Sequence, residues 1–474
     1  MKRLRIFLVN VGFSRPRYPQ ISPPMGVMYL AAYLRSRFDT DIRIVNQRLD
    51  NCSNEDLVRQ VADFEADVVG LGALTPAAYG LAFITQAIRQ RLPKALIVLG
   101  GPHISAFQAK ALEGTMADAA VQGEGELAFE AIINAHFEGG GLADVPGAFW
   151  QDKGGEVVTN PGMVPHIEDL DSLPFPAYDL IDLSAYWRRQ SLAAIPRRRY
   201  VSIFSSRGCP YGCAYCHNVF GKRFRPHSAQ RIIEEILYYR RQYGINDIEF
   251  IDDVFNLDRK RLLEFCELIH RHNLRIKIVL PSGVRTDILK EDEIDALVSA
   301  GLNFSCFALE SGSPRIQKLI GKNLNIPNFL KNVELATARG VHANGFAMFG
   351  FPTETETEMQ QTVDVLCRSR LHTLSCFTVI PYPNTPLYRT AMETHPEQLA
   401  GLRYDGLGFI NGTINLSDVP DDILFAYQRK ANRRFYINPI RLLRILKDHP
   451  QPHLLPLYIP HVLQRFTKRD LLPS

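Results

Sequence analysis

Short apolar runs alternate with longer stretches of helical periodicity over the first 140 residues of the chain. Strands that alternate with helices in this way are typical of a parallel, doubly wound α/β sheet. The pattern predicts strands at residues 6–9, 42–45, 68–71, 96–99 and 119–121, and helices at residues 27–38, 54–65, 77–91, 105–113 and 126–136.

Glycine and polar residues follow three of these strands. Doubly wound sheets bind ligands outside the carboxyl ends of their strands, and glycine lets the backbone approach a ligand closely. The loops therefore predict a ligand site, with tight strand-to-helix turns as the alternative. They are Thr75-Pro76, Gly100-Gly101-Pro102-His103 and Gly123-Glu124-Gly125-Glu126.

The alternation restarts at residue 200 and predicts six more strands. Six strand–helix units are fewer than the eight of a closed barrel, so we expect a partial, open (βα)6 barrel of the TIM type. The strands are predicted at residues 200–205, 247–252, 275–280, 303–309, 342–349 and 373–380, with helices such as 229–243 and 259–272 between them.

Polar or glycine-bearing segments stand at every predicted strand end of this barrel, where barrel enzymes place their chemistry. A single acidic residue after a strand can equally be the N-cap of the next helix. In chain order these ends hold a cysteine loop, Asp252-Asp253, Arg285, Glu310, Gly350-Phe351-Pro352 and Tyr382.

The remaining segments connect or follow the two α/β domains. Residues 141–199 are rich in Gly, Pro and Asp and predict a linker with a hairpin near residues 152–155. The expected domains are thus residues 1–140 and 200–390, followed by a mostly helical extension over residues 391–474.

The end of the chain is basic. From Arg429 onward it has ten Lys and Arg against two Asp, and Arg441, Arg444 and Lys447 recur every three residues among apolar ones. This pattern predicts a helix that packs on the barrel with a solvated basic edge. The alternative is a helix on a membrane surface, which would suit a lipid-like substrate.

Composition narrows the class of protein. The 474 residues are 46% hydrophobic and 22% charged, which is ordinary for a globular protein of two or three domains. A net charge of +4 is too small to indicate a nucleic-acid partner. We see neither a signal-peptide layout nor an apolar run of about 18 residues, so we expect a cytoplasmic protein.

The most specific motif is a cysteine trio, Cys209, Cys213 and Cys216, spaced C-x3-C-x2-C directly after the first barrel strand. In a reducing compartment such a trio indicates metal ligation rather than disulfides. Three thiolates leave one position of a four-coordinate site open. The other cysteines, predicted to be small core residues, are Cys52, Cys266, Cys306, Cys367 and Cys376.

Iron–sulfur clusters and zinc both take thiolate ligands. Structural zinc requires four ligands, and His217 directly follows Cys216, where its side chain would point away from a common centre. The trio therefore favours an iron–sulfur cluster, with zinc as the alternative.

This motif, after the first strand of a partial barrel, resembles that of the radical S-adenosylmethionine (SAM) enzymes. The resemblance implies that the three cysteines hold a 4Fe-4S cluster whose remaining iron binds SAM, from which a 5′-deoxyadenosyl radical forms. Tyr215 matches the family's aromatic position, where the loop meets adenine. By the same resemblance Asp253, Arg285 and Glu310 contact SAM, Arg285 through a carboxylate and Glu310 through the ribose or amine.

The first domain resembles the flavodoxin-like or Rossmann-like cobalamin-binding domain of the cobalamin-dependent subfamily. The resemblance rests on residues 23–34 and on the three loops that follow the strands, two of which contain glycine, and it extends over residues 1 to about 390. It implies that cobalamin lies against Thr75, Gly100, Gly101, His103, Gly123, Glu124 and Glu126.

The chain also departs from family patterns. It lacks the Asp-x-His-x-x-Gly motif that supplies a histidine to cobalt, so the lower axial ligand is left open and His103 is expected near the corrin edge. Ile251-Asp252-Asp253 replaces the Gly-Gly-Glu that follows the second strand in many radical SAM enzymes.

The resemblance implies methylation of an unactivated carbon in a small or lipid-like substrate, with SAM as radical source and methyl donor and a flavodoxin or ferredoxin as reductant. The alternative is ring formation or contraction of the magnesium-protoporphyrin cyclase type, since Arg433-Arg434-Phe435-Tyr436 resembles tails of that group. Cys376 and Tyr382 could donate a hydrogen atom or a proton, but packing roles are favoured, so no catalytic side chain is assigned.

Two other classes of protein are alternatives to a methylase or cyclase. A methylthiotransferase needs a second cluster in its first domain. Cys52 is the only cysteine before residue 150, which argues strongly against this class. A non-catalytic cobalamin or iron–sulfur sensor would bind the same cofactors without forming 5′-deoxyadenosine.

Overall fold

The computed structural model describes residues 3–12, 20–152, 154, 156–160, 165–193, 195, 198–216, 219–404, 414–453 and 456. Internal contacts divide the chain into two compact units. The first is Met1–Ser191 with Asn218–Pro226, and the second is Leu192–His217 with His227–Ser474. Within the described ranges, no helix is long and apolar enough to cross a membrane.

The first unit contains a seven-stranded sheet. Its strands are β1 (Leu4–Val11), β2 (Thr40–Asn46), β3 (Val68–Ala73), β4 (Leu96–Gly100), β5 (Ala119–Val121), β6 (Ala148–Gln151) and β7 (Val157–Thr159). They are ordered β2-β1-β3-β4-β5-β6-β7, with β1 to β5 parallel and β5 to β7 antiparallel. The order of the five parallel strands is flavodoxin-like, which confirms the predicted doubly wound sheet.

Helices cover this sheet because its strands carry apolar residues towards both faces. The helices are α1 (Met25–Arg37), α2 (Asn54–Asp63), α3 (Leu81–Arg91), α4 (Pro102–Phe107), α5 (Glu126–Glu138) and α6 (Leu183–Trp187). Phe7 and Ile97 share a buried cluster with Leu57 of α2 and Ile84 of α3. On α5, Phe129 packs over Gly70, where an added Cβ would lie 3.2 Å from the ring.

Two helices of this unit differ from their predicted bounds. The predicted helix 77–91 begins as a 3-10 turn, Thr75–Gly80, before α3. The predicted helix 105–113 is instead the short α4 followed by a 3-10 turn. Pro102 starts α4 early because its fixed φ suits the first helical position. Gln108, at a φ of +53°, ends α4 because that angle lies outside the right-handed helical region.

The segment after α5 packs on the first unit. Tyr178 donates to the sulfur of Met25 at 3.4 Å, and Tyr186 accepts from Asn46 at 3.1 Å; both tyrosines are buried. The strands β6 and β7 form the hairpin expected near residues 152–155, although Lys153 and Gly155 lie outside the described residues. The proposed domain boundaries remain predictions.

The second unit contains an open, six-stranded parallel sheet. Its strands are β8 (Tyr200–Ile203), β11 (Asp247–Phe250), β12 (Lys277–Val284), β13 (Leu302–Glu310), β14 (His342–Phe349) and β15 (Thr373–Thr378), and two-residue strands are β9 (Ser206–Arg207) and, in the first unit, β10 (Arg225–Pro226). The six strands follow one another in chain order, with β8 and β15 at the edges. This confirms the predicted partial barrel.

Helices connect successive barrel strands. They are α7 (Ala229–Tyr243), α8 (Arg259–Arg271), α9 (Glu291–Ser299), α10 (Pro314–Leu319), α11 (Ile326–Ala338) and α12 (Glu356–Arg368). Polar N-caps begin most of them, and Thr355 with Glu358 forms a capping box at α12. The connections therefore match the strand–helix alternation that the sequence predicted.

The C-terminal helices are α13 (Pro386–Thr394), α14 (Pro396–Ala400), α15 (Asp421–Tyr436) and α16 (Pro439–Asp448). The expectation of a solvated basic edge on α16 is wrong at Arg441, which is only 1% exposed. Its guanidinium donates to the carbonyl oxygens of Leu371 at 2.5 Å, Cys367 at 2.8 Å and Ser369 at 3.2 Å. These carbonyls end α12 or follow it, and a cation beside them is favourable.

Candidate functional site

The cysteine trio lies on the loop that follows β8 in the second unit. Cys209 and Cys213 are half-buried and Cys216 is exposed, and all eight cysteines of the chain are thiols rather than disulfides. Ala214 fixes the loop from both sides. Its N–H donates to the carbonyl of Ile320 at 2.8 Å, and its own carbonyl accepts from Leu387 at 3.0 Å.

Asp252 anchors the start of this loop. Its carboxylate accepts from the hydroxyls of Ser205 and Ser206 at 2.9 Å each, and from the N–H of Ser206. Arg261 donates to the carbonyl of Ser205 at 2.8 Å. Burial raises the pKa of Asp252 although Arg261 and the serines oppose this shift. Asp252 is thus a positioning residue that the sequence did not single out, whereas its neighbour Asp253 is exposed.

Arg285, at the end of β12, lies against the cysteine loop. Its guanidinium carbon is 4.3 Å from the centre of the Tyr211 ring, and its Nε donates to Asp287 at 2.7 Å. The side chain is 9% exposed, and its buried Nη1 has no hydrogen-bond partner among the described residues. A carboxylate is the usual partner of such an arginine nitrogen.

Glu310 ends β13 with a φ of +64°, in the left-handed region that non-glycine residues rarely adopt. Its carboxylate pairs with Lys322 at 3.1 Å, and both side chains are at most 10% exposed. Sequence reasoning missed Lys322 because it follows α10 rather than a strand. The structure shows that the neighbouring Gly321 lies close to the cysteine loop. Its φ is +66°, and an added Cβ would lie 3.0 Å from the carbonyl oxygen of Gly212.

Tyr215 joins the trio to the rest of the barrel end. Its ring centre is 6.0 Å from that of Phe351, and the partly buried Tyr215 packs against a buried apolar cluster that contains Phe351, Ile316 and Ile320. Burial, followed by Glu310 and the neighbouring cysteines, raises the pKa of Tyr215 well above its ordinary value. The phenol therefore stays protonated at neutral pH.

The turn that carries Phe351 depends on Glu354. This fully buried carboxyl accepts from the N–H groups of Gly350 at 2.8 Å and Phe351 at 3.2 Å. Burial raises the pKa of Glu354 to about 8.

We expect Glu354→Gln to flatten the pH dependence of stability. Because the folded-state pKa is raised, the contribution of the wild-type carboxyl is fully present below its unfolded pKa and is lost as pH rises towards about 8. Relative to wild type, the variant should gain about 1.4 kcal/mol in unfolding free energy for each pH unit between those pKa values. Urea unfolding at several pH values measures this. The exposed Glu393→Gln is the control, and parallel profiles for wild type and Glu354→Gln would contradict the expectation.

The remaining candidates at the barrel end, Cys376 and Tyr382, pack against other residues of the second unit. Cys376 is buried on β15, and the Tyr382 ring stacks on Tyr404 at 5.6 Å. Neither arrangement assigns a donor role.

In the first unit, Gly100 and Gly101 form the end of β4. Gly101 has a φ of +89°, and an added Cβ would lie 3.1 Å from the backbone nitrogen of Ala73. A Cβ on Gly100 would meet nothing within 4 Å. Gly100 therefore leaves open space outside the strand end. Gly101 is needed because its positive φ and its close approach to Ala73 disfavour any residue with a Cβ.

His103 follows this turn on α4. Its ring centre lies 4.5 Å from that of Phe107, and burial lowers the pKa of the imidazole to about 4, so the ring is neutral. The buried Nδ1 of His103 has no hydrogen-bond partner within the described part of the chain. Thr75, in the turn after β3, is buried.

The third loop is held mainly by protein contacts. Gly123, with a φ of +75°, donates its N–H to the hydroxyl of Ser105 at 3.0 Å. Glu124 is buried, pairs with Arg225 and accepts from the N–H of Ile167 at 3.2 Å. Glu126 is buried in the first turn of α5. Contacts of these residues with a cofactor remain predictions.

The residues present fit the expected groups. Three thiols on one anchored loop are suitable ligands for an iron–sulfur cluster, and the unpaired Arg285 Nη1 offers a donor for a carboxylate. The open strand end at Gly100 and the unpaired His103 Nδ1 leave room and a polar contact for a ligand of the first unit. Within the described ranges, no three His, Cys, Asp or Glu side chains are grouped to hold a metal ion by themselves.

Comparison with known proteins identifies both units. Residues 203–366 match the model of the radical SAM superfamily, and residues 17–133 match that of the B12 binding domain. An uncharacterised methyltransferase of Pyrococcus horikoshii is 30% identical over 430 residues, which cover 90% of each chain. The anaerobic magnesium-protoporphyrin IX monomethyl ester cyclase of Rubrivivax gelatinosus is 27% identical over 72% of this chain and 61% of its own.

A solved structure has the same fold. The radical SAM methyltransferase TsrM of Kitasatospora setae, with cobalamin and a [4Fe-4S] cluster bound, superimposes with a TM-score of 0.66 at 20% identity, over 82% of this chain and 75% of TsrM. The chain therefore belongs to the cobalamin-dependent radical SAM enzymes, whose cofactors are a 4Fe-4S cluster, S-adenosylmethionine and cobalamin.

Proposed function

We propose that this enzyme methylates an unactivated carbon of a small or lipid-like substrate. The similarity to the Pyrococcus methyltransferase along nearly the whole of both chains carries this proposal. The cofactors supply the chemistry that side chains cannot, namely a carbon-centred radical and a transferable methyl group.

Different residues of the second unit would bind the cluster and SAM. Cys209, Cys213 and Cys216 would bind the cluster. Arg285 would bind the carboxylate of SAM through its unpaired Nη1, with Tyr211 and Asp287 fixing the guanidinium. These assignments rest on the anchored loop and on the placement of Arg285 beside it.

Glu310 would accept a hydrogen bond from the ribose or amine of SAM, and its contact with Lys322 holds the carboxylate in place. Tyr215, whose raised pKa keeps it neutral, would line the adenine side of the loop together with Phe351. The predicted contact of Asp253 with SAM rests only on the position of this exposed residue after β11.

The loops of the first unit would bind cobalamin, and two neighbouring glycines test this. We expect Gly101→Ala to destabilise the fold by about 1–2 kcal/mol, because alanine is strained at a φ of +89°. Gly100→Ala should leave stability within about 0.5 kcal/mol of wild type yet lower the affinity for cobalamin, since its methyl group would enter the open space. Urea unfolding and absorbance titration with cobalamin measure the two effects. Unchanged cobalamin affinity in Gly100→Ala would remove Gly100 from the site.

Ring formation is the second candidate, and the similarity to the Rubrivivax cyclase favours it. Both reactions would start with the same cofactors and a reductant such as flavodoxin or ferredoxin. They differ in the product, because methylation adds one CH2 unit whereas cyclisation removes hydrogen without adding carbon.

An anaerobic assay with methyl-deuterated SAM separates the candidates. The purified, cofactor-loaded enzyme is incubated with reductant and a metabolite extract, and products are examined by mass spectrometry. Methylation predicts 5′-deoxyadenosine together with a product that carries the deuterated methyl group. Unlabelled, oxidised product would support the cyclase instead, and the absence of 5′-deoxyadenosine with every extract would favour a cofactor-binding sensor.

A further inference from the structure

The helix α16 presents an apolar surface to solvent. Ile440 is 68% exposed, Leu443 65% and Leu446 57%, and Ile437, just before the helix, is 63% exposed. These four residues recur every three positions. We call them the α16 face. The buried side of the helix is held by the Arg441 guanidinium, which stacks on the Phe435 ring at 3.6 Å.

The orientation of α16 is thus fixed rather than accidental. Arg441 donates to three backbone carbonyls in the last turn of α12 and just after it, and Arg444 donates to the carbonyl of Arg370 at 3.1 Å. Turning the apolar residues inward would remove these bonds and leave the carbonyl groups to find other donors. An amphipathic helix that keeps its arginines inside needs another partner for its apolar side.

Charge indicates the chemistry of that partner. Two exposed cations border the α16 face in the sequence: Arg433 precedes it and Lys447 follows it. From Arg429 to the end, the sequence has ten Lys and Arg against two Asp, a net charge of +8. An apolar face bordered by cations matches an anionic lipid surface, which offers acyl chains beneath negative headgroups.

We propose that the α16 face binds to the surface of an anionic lipid bilayer. In this arrangement Ile440, Leu443 and Leu446 enter the boundary between headgroups and acyl chains, while Arg433 and Lys447 contact lipid phosphates. The helix lies along the surface, because ten residues span only about 15 Å. Such binding would bring the enzyme to a lipid-dissolved substrate, but it does not depend on the methylation proposed above.

Sedimentation with vesicles tests this proposal on the full-length chain. We expect wild type to pellet with phosphatidylcholine vesicles that contain phosphatidylglycerol, and to bind pure phosphatidylcholine vesicles less well. The double variant Ile440→Ser/Leu443→Ser should lower the partition coefficient at least about tenfold. Arg433→Ser/Lys447→Ser should weaken binding chiefly to the anionic vesicles and reduce its sensitivity to salt.

Matched controls distinguish the other occupants. Met392→Ser, on α13, removes an apolar residue that is 54% exposed outside the α16 face and should bind vesicles like wild type. Failure of wild type to bind anionic vesicles overturns the proposal, as expected if residues 457–474 or another protein cover the face. A wild-type dimer that Ile440→Ser/Leu443→Ser converts to a monomer, without vesicle binding, would instead assign the face to a second copy of the chain.

Discussion

Replacing Cys213 by alanine is expected to abolish cluster assembly and 5′-deoxyadenosine formation together. The middle thiol of the trio is half-buried on a loop that the backbone bonds of Ala214 hold from both sides, so its position is fixed. The loss should be complete rather than partial, because two remaining thiolates hold a cluster poorly. Iron and sulfide content, the visible absorbance of the reconstituted protein and chromatography of 5′-deoxyadenosine measure the two effects.

Cys367→Ala provides the matched control. Cys367 is also a half-buried thiol of the second unit, but it lies on α12 and contributes its backbone carbonyl, not its sulfur, to the bond with Arg441. This variant should assemble the cluster like wild type. Turnover that survives in Cys213→Ala would show that the trio does not carry the reaction.

The second large effect is expected at Lys322. Lys322→Met leaves the buried Glu310 carboxylate without its partner, and breaking a buried pair from one side costs about 3–5 kcal/mol. We also expect weaker SAM binding, because Glu310 would no longer be held at the end of β13 beside Tyr215. Urea unfolding measures the first effect, and calorimetric titration with SAM measures the second.

A double variant separates lost charge balance from general damage. Lys322→Met/Glu310→Gln removes both charges, so it should recover much of the stability lost in Lys322→Met while SAM binding remains weak. Lys318→Met, on the exposed side of α10, controls for the substitution itself and should change stability by no more than about 0.5 kcal/mol. Wild-type stability in Lys322→Met would mean that the ion pair is not what holds Glu310.

Much of the architecture could be predicted because local patterns specify it. Strand–helix alternation predicted the number of parallel strands in both units, and β13 and β14 lie within a few residues of their predicted positions. The cysteine trio could be recognised from spacing alone, since its three cysteines lie within eight residues. Strand ends also identified Arg285 and Glu310, because the carboxyl ends of parallel strands meet at one edge of the sheet.

Residues that act through partners distant in sequence could not be predicted in this way. Lys322 follows a helix, and its role depends on a contact with Glu310 across twelve positions. The stacking of Arg285 on Tyr211 joins residues 74 positions apart. Sequence reasoning chose Asp253 rather than Asp252 as a site residue, yet only Asp252 is buried against the serines that begin the loop.

The C-terminal helix α16 shows most clearly the difference between what the sequence determines and what the tertiary structure decides. The sequence determined that α16 is amphipathic and basic, as it also indicated the family of the enzyme. It did not determine which side of α16 packs inward, because apolar side chains and a guanidinium can both be buried if each finds suitable partners. The tertiary structure decided this by placing carbonyl groups at the end of α12 and just after it, to which the Arg441 guanidinium donates and a leucine could not.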